Sequence, residues 1–164
     1  MMNKSIFVFL LSIVPTTYLG AQELEFTEWE KQTFLKQPPE KIMDVAGIRS
    51  GMIVGEVGAG YGRVTLNLAN RVGPTGKVYA NDISEEALDS LTRRCKNAGL
   101  TNVEIILGQE DNPLFRKGSL DIAIMVWTYH WFDNPVPFLE NLPWQKTGIS
   151  LRIKKCIRFI CKRA

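Results

Sequence analysis

Four groups of residues have the types and spacing for chemistry. Glu56 stands two residues before Gly58, and Gly58, Gly60 and Gly62 alternate with Ala59 and Tyr61. Glycines at alternate positions let the chain turn tightly and let a flat ligand lie against main chain with no Cβ between them. A carboxylate beside such a turn repels phosphate and welcomes a cationic group. Asp82 lies twenty residues beyond Gly62, where a strand-end carboxylate can accept from both hydroxyls of a ribose. A cap on the next helix is the competing role for Asp82, although Ser84 already offers one. Residues 108–111 place Gln109, Glu110 and Asp111 after another apolar run. His130, the single histidine, sits among Trp127, Tyr129, Trp131 and Phe132. It is a candidate general base toward a substrate N–H or O–H; the plainer reading is a structural ring among aromatics.

These residues need strands that end on a common edge. Ile53, Val54 and Val57 precede the glycines, and Val64, Leu66, Leu68 and Ala69 follow them at helical spacing, which predicts strand, glycine turn and helix. The helix N-terminus then presents free N–H groups to whatever the turn holds. Residues 77–82, 103–107 and 120–126 read as further strands, the last nearly continuous in apolar residues, as a strand covered on both faces should be. Residues 84–99 predict a helix with Ala87, Leu88, Leu91 and Cys95 on its buried face, and residues 135–142 another. Near the start, residues 23–51 are polar and helical in tendency, with Trp29, Phe34 and Leu35 as apolar anchors. Pro38 and Pro39 then open a second helix with Ile42, Met43, Val45 and Ala46 buried and Gly47 as its stop. Strands alternating with helices imply an α/β fold, a Rossmann-like parallel sheet with helices on both faces. Ligands of such sheets sit beyond the carboxyl ends of the strands, where every candidate above falls.

Spacing also restricts the ligand. A dinucleotide fingerprint needs a glycine three residues after Gly60, and that residue is Arg63, which weakens an NAD-dependent oxidoreductase reading. No Gly-Lys-Ser/Thr follows for a P-loop. The run Glu56, Val57, Gly58, Ala59, Gly60, Tyr61, Gly62 resembles the first motif of the class I S-adenosylmethionine-dependent methyltransferases, and the resemblance extends from about Pro38 to Leu142. It implies that Glu56, Gly58, Ala59, Gly60 and Gly62 hold the amino-acid end of S-adenosylmethionine. It also implies Asp82 on the ribose, Ile83 beside the adenine, and Gln109 on the adenine edge, this last uncertain by a residue because of Glu110 and Asp111. The implied activity is methyl transfer to an acceptor that the sequence does not identify. Placing a nucleophile in line with the methyl group can suffice without a base. Trp127 and Tyr129 are candidates for a cation–π contact with the sulfonium, or for simple packing. The helix that opens at Pro38 and Pro39 and stops at Gly47 either covers the cofactor, as the resemblance implies, or packs on the sheet edge.

Length and charge frame the domain. The chain has 164 residues, 45% of them apolar, and a net charge of +3, which suits one globular domain. Seven of its twenty basic residues lie in 146–164, which holds no acidic one. Residues 1–21 read as a signal peptide, with Lys4 before an apolar run over 6–14 and small residues at Gly20 and Ala21. An uncleaved anchor and a chance apolar terminus are the other readings. Cleavage would make the protein exported, periplasmic or secreted; otherwise it is membrane-anchored or cytoplasmic. The methyltransferase domain is then 22–145. The basic tail, 146–164, departs from the family, which continues with a further strand, helix and closing hairpin; only Ile149, Leu151 and Ile153 offer a fifth strand. This reads as a truncated or frame-shifted end, which would leave a cofactor-binding but inactive remnant as one alternative. A tail for nucleic acid or a membrane surface is the other. Cys95, Cys156 and Cys161 match no zinc spacing, and with one histidine no metal site is expected.

Overall fold

Short β-branched runs separated by glycine turns form the centre of the molecule. A computed structural model describes residues 24–142. The segment over 1–21 read as a signal peptide, the basic tail with Ile149, Leu151 and Ile153, and Cys156 and Cys161 lie outside the described residues.

Four strands, β1 (Ile53–Val57), β2 (Lys77–Asp82), β3 (Val103–Leu107) and β4 (Ile122–Met125), form one sheet in the order β3-β2-β1-β4. All neighbours are parallel, with Glu56 opposite Ala80 on one side and Ile124 on the other. The chain therefore steps outward from β1 to β3 and then returns to β1's free side. That reversal creates a crevice at the carboxyl ends of β1 and β4, where α/β sheets bind ligands.

Alternation along the strands divides the core. Val54, Val78 and Ile124 face α3 (Thr65–Val72), whose Leu68, Ala69 and Val72 join the same cluster. Ala80 faces α4 (Glu85–Asn97) through Leu88, Leu91 and Cys95. The buried face of α4 is Ala87, Leu88, Leu91 and Cys95, as its spacing predicts. On the opposite face Val57 packs with Phe115, Leu120, Phe138 and Leu142, Phe138 coming from α5 (Pro135–Glu140). Gly55 makes this possible: a Cβ there would lie 2.6 Å from Leu120 and 3.1 Å from the Phe115 ring.

The leading helices depart from expectation. In α1 (Glu28–Lys36), Trp29 and Leu35 are 65% and 76% exposed, and Phe34 is half-buried against Phe26. The buried residue of α1 is instead Glu30, because three scattered apolar residues make no stripe whereas Glu30 has fixed partners. Its carboxylate accepts from the Thr27 N–H at 2.8 Å, closing a capping box, and pairs with Arg94 of α4 at 2.8 Å. Burial alone would raise the Glu30 carboxyl; Arg94 and the Thr27 N–H outweigh it and hold it below its usual range. Helix α2 (Pro39–Ala46) buries Met43 and ends at Gly47 with φ 74°, but Val45 is exposed. The fourth strand covers 122–125 rather than 120–126, since Leu120 and Val126 are buried beyond its ladder to β1.

Gly55→Ala tests the sheet packing. The added methyl overfills the space beneath Leu120 and Phe115, so urea denaturation is expected to show a loss of about 1–3 kcal/mol.

Candidate functional site

The glycine turn after β1, the loop after β3 and the start of α4 are all fastened to the end of β2. The Gly58 and Ala59 N–H groups donate to the Asn81 carbonyl at 2.8 and 2.9 Å, and the Gly60 N–H donates to Asp82 Oδ2 at 2.7 Å. Asp82 Oδ1 accepts from the Ser84 N–H at 2.9 Å, while the Ser84 hydroxyl caps α4 by accepting from Ala87. Asp82 thus braces the glycine turn and the start of α4, the bracing role standing beside any contact its carboxylate makes in the cleft. The Asn81 amide donates to the Pro113 carbonyl at 3.0 Å, which ties the loop after β3 to the same point. Gly108 lets that amide pass, since a Cβ there would lie 2.2 Å from it.

The three motif glycines have different jobs. Gly58 (φ 73°) lies under Thr128, where a Cβ would approach the hydroxyl to 2.1 Å. Gly62 (φ 87°) admits Leu91 of α4, whose methyl would stand 2.2 Å from a Cβ. Gly60 (φ 52°) has nothing within 4 Å of its Cβ position. Its open face borders a cleft of about 1660 Å³ whose lining includes Glu56, Gly58, Ala59, Gly60, Asp82, Ile83 and Gln109. The structure thus brings together seven of the nine residues singled out from the sequence. Gly62 is behind this surface, acting through helix packing. Gln109 shares the rim with Glu110 and Asp111.

His130 is not in the lining. It lies exposed on a 3-10 turn, Tyr129–Trp131, its ring 5.1 Å from that of Trp131. Tyr129 is also outside the lining, whereas Trp127 and Trp131 belong to it. The turn reverses the chain after β4, so residues one or two apart face opposite ways, which a linear run of aromatics does not reveal. Trp127 holds φ 66°, an outlier for a bulky residue, and its indole N–H donates to Gln37.

Glu56 forms the floor. It is 2% exposed, and the Thr65 hydroxyl of α3 donates to it at 2.6 Å. Burial pushes its carboxyl up to about 8; the Thr65 hydroxyl and the Arg63 charge oppose the rise, and Asp82 adds to it. Burial thus favours the protonated form of Glu56 in the free site, against the pull of Arg63. Arg63 lines the same cleft, its guanidinium 5.9 Å from the ring centres of both Trp29 and Trp127. Its Nη1 is buried without a hydrogen-bond partner among the described residues. Burial lowers the Arg63 pKa, against the pull of Glu56 and Glu30. Sequence reasoning missed Asn81, Arg63 as a cleft residue, and the Glu30–Arg94 pair; of these, the Thr27/Glu30 capping-box spacing was the one readable signal.

Comparison with known proteins decides the family. Residues 54–142 match the model of a methyltransferase domain. The chain belongs to that methyltransferase-domain family. Nocamycin O-methyltransferase of Saccharothrix syringae is 33% identical over 90 residues, covering 55% of this chain and 32% of that one. Demethylmenaquinone methyltransferase of Lactococcus lactis is 33% identical over 83 residues, covering 51% and 33%. The chain thus spans about a third of the length of these curated relatives. Among solved structures, a SAM-dependent methyltransferase from Aquifex aeolicus superposes with a TM-score of 0.64 at 32% identity, covering 73% of this chain and 66% of that one. The family implies a bound S-adenosylmethionine, and the residues present fit it: an open glycine face, a buried carboxyl and strand-end Asp82 line one cleft.

The state of Glu56 has a stability signature. Its folded pKa is raised above the ordinary 4.5 to about 8, so between those values the native protein binds a proton that the unfolded chain has lost. Stability contributed by this group falls as pH rises through that window, by at most about 1.4 kcal/mol per pH unit. Glu56→Gln is expected to remove that slope, as read by urea denaturation across the range.

Proposed function

We propose that this methyltransferase-family chain binds S-adenosylmethionine in the cleft and transfers its methyl group to an unidentified acceptor. The observation that carries the reading is the placement of Glu56, the open face of Gly60 and Asp82 on one continuous surface at the sheet's carboxyl edge. In this reading Glu56 ionises and takes the ammonium of the cofactor's amino-acid end. Gly58, Ala59 and Gly60 give that end a floor of main chain, and Gly62 keeps α4 close enough to hold the turn in shape. Asp82 accepts from the ribose hydroxyls, Ile83 lies against the adenine, and Gln109 meets its edge. When bound, the cofactor supplies a methyl group on a positively charged sulfur.

The protein's remaining task is positioning. Trp127, Trp131, Phe132 and Phe138 give the cleft an aromatic side against which an acceptor would be placed. His130 lies outside the cleft lining, so this reading assigns proton removal to no side chain and takes the rate from alignment. Dinucleotide binding receives no support, since Arg63 fills the position a close-packing glycine would need.

Calorimetric titration of the full chain tests this. S-adenosylhomocysteine is expected to bind and NADH not to. Asp82→Asn keeps an acceptor for the Gly60 N–H but loses the charge, and is expected to weaken S-adenosylhomocysteine roughly tenfold or more. Equal affinity for NADH, or no effect of the substitution, would contradict the reading.

A further inference from the structure

Three of the chain's four tryptophans, Trp29, Trp127 and Trp131, line the cleft, and they are 65%, 44% and 79% exposed. A tryptophan offers more apolar surface to a partner than almost any other side chain, and apolar surface gathered at a groove marks a ligand's place. Trp29 and Trp127 lie beside Arg63. Trp131 is the most exposed of the three, and no cofactor contact is assigned to it. Its backbone N–H donates to the Thr128 carbonyl at 3.0 Å, and Thr128 is seated on Gly58, where a Cβ would meet its hydroxyl at 2.1 Å. The indole is therefore mounted on the glycine turn that the cofactor reading uses. It is followed by Phe132, whose ring lies 4.7 Å from that of Phe138. Room remains for a second molecule, since a cleft of about 1660 Å³ exceeds the roughly 300–1,000 Å³ of sites that hold one drug-sized ligand.

The geometry points to a methyl acceptor that is a small, flat aromatic molecule without negative charge, stacked on Trp131. This rests on the cofactor reading and names the class of molecule taken by the other half of the same cleft. An indole attracts a second aromatic ring in an offset or edge-to-face arrangement, whereas a puckered saturated ring of the same size gains burial alone. Charge decides against an anion. From residues 126–138 the lining takes no Lys, Arg or His and includes Asp133, and the loop after β3 adds Glu110 and Asp111. All three acidic residues are exposed, and none is in an ion pair among the described residues. A base carried on a nucleic-acid chain would stack equally well on an indole, but it would bring its phosphates against these carboxylates. A free, uncharged ring system meets the aromatic side without that repulsion.

The test is a calorimetric titration of the full chain saturated with S-adenosylhomocysteine, using three probes. These are dihydroxynaphthalene, its fully saturated and puckered counterpart dihydroxydecalin, and uridine monophosphate. Dihydroxynaphthalene is expected to bind about fivefold more tightly than dihydroxydecalin, and the nucleotide more weakly than dihydroxynaphthalene. Trp131→Ala is expected to weaken dihydroxynaphthalene roughly tenfold and to remove its advantage over the puckered diol, while Trp131→Phe keeps most of it. Trp131 is exposed, so both variants are expected to fold and to bind S-adenosylhomocysteine as the unaltered chain does. The inference is overturned if dihydroxynaphthalene does not bind, if flat and puckered diols bind equally, or if the nucleotide binds as tightly as dihydroxynaphthalene. It is overturned too if Trp131→Ala changes nothing, or weakens S-adenosylhomocysteine as much as the diol, which would make Trp131 a structural part of the turn. Failure of the unaltered chain to bind S-adenosylhomocysteine is a separate result: it removes the cofactor reading, and the acceptor inference with it.

Discussion

A carboxyl group buried at the end of the central strand is the constraint around which the rest of the edge is arranged. Glu56 cannot be both ionised and solvated where β1 places it, so it is held neutral by desolvation, with one hydroxyl from α3 as its partner. In the proposed reading that arrangement keeps a stored capacity for charge, because a cation brought beside the group favours its ionised form. Replacing it with an apolar residue would relieve the folded protein and remove what the cleft is shaped to receive. Stability is given up at a site of this kind in exchange for binding.

Holding such a floor in place falls to β2. Asn81 receives the glycine turn through its carbonyl and the loop after β3 gives Pro113 to its amide, while Asp82 joins Gly60 to the start of α4. Two adjacent polar residues thus connect three of the four strand ends. Arg94 extends the bracing outward: it donates to Tyr61 in the glycine turn, to Glu25, and to Glu30 of α1. The leading segment is tied to the cleft by charge rather than by an apolar stripe. The same span contributes Trp29 beside Arg63, so one ion pair helps shape both the rim and the floor.

Much of this was legible in the sequence. Strands β1 to β3 and the buried face of α4 follow from local patterns of period two and three to four, and short polar turns leave those patterns undisturbed. The parallel order follows from alternation of strands and helices, and with it the gathering of Glu56, Gly60, Asp82 and Gln109 at one edge. What was not legible depends on contacts between distant segments. Trp29 and Leu35 look like anchors until Arg94, 64 positions beyond Glu30, supplies the burial that the helix uses. His130, a candidate base among aromatics, lies exposed on the turn after β4 and outside the cleft lining, a placement that the run of aromatics does not show. Asn81 is not singled out by the sequence beside Asp82, and only the register of β1 against β2 makes it central. Arg63 registers from spacing as a missing glycine; its place between two indoles requires the fold.

The central claim is that Glu56 is protonated in the free protein and ionises when the amino-acid end of the cofactor reaches it. Calorimetry of S-adenosylhomocysteine binding at about pH 7, repeated in buffers of different ionisation enthalpy, counts the protons exchanged. The account predicts release of about one proton per ligand by the unaltered chain and none by Glu56→Gln. Binding by the unaltered chain without proton release would contradict it, because Glu56 would then have been ionised already or would have stayed neutral throughout.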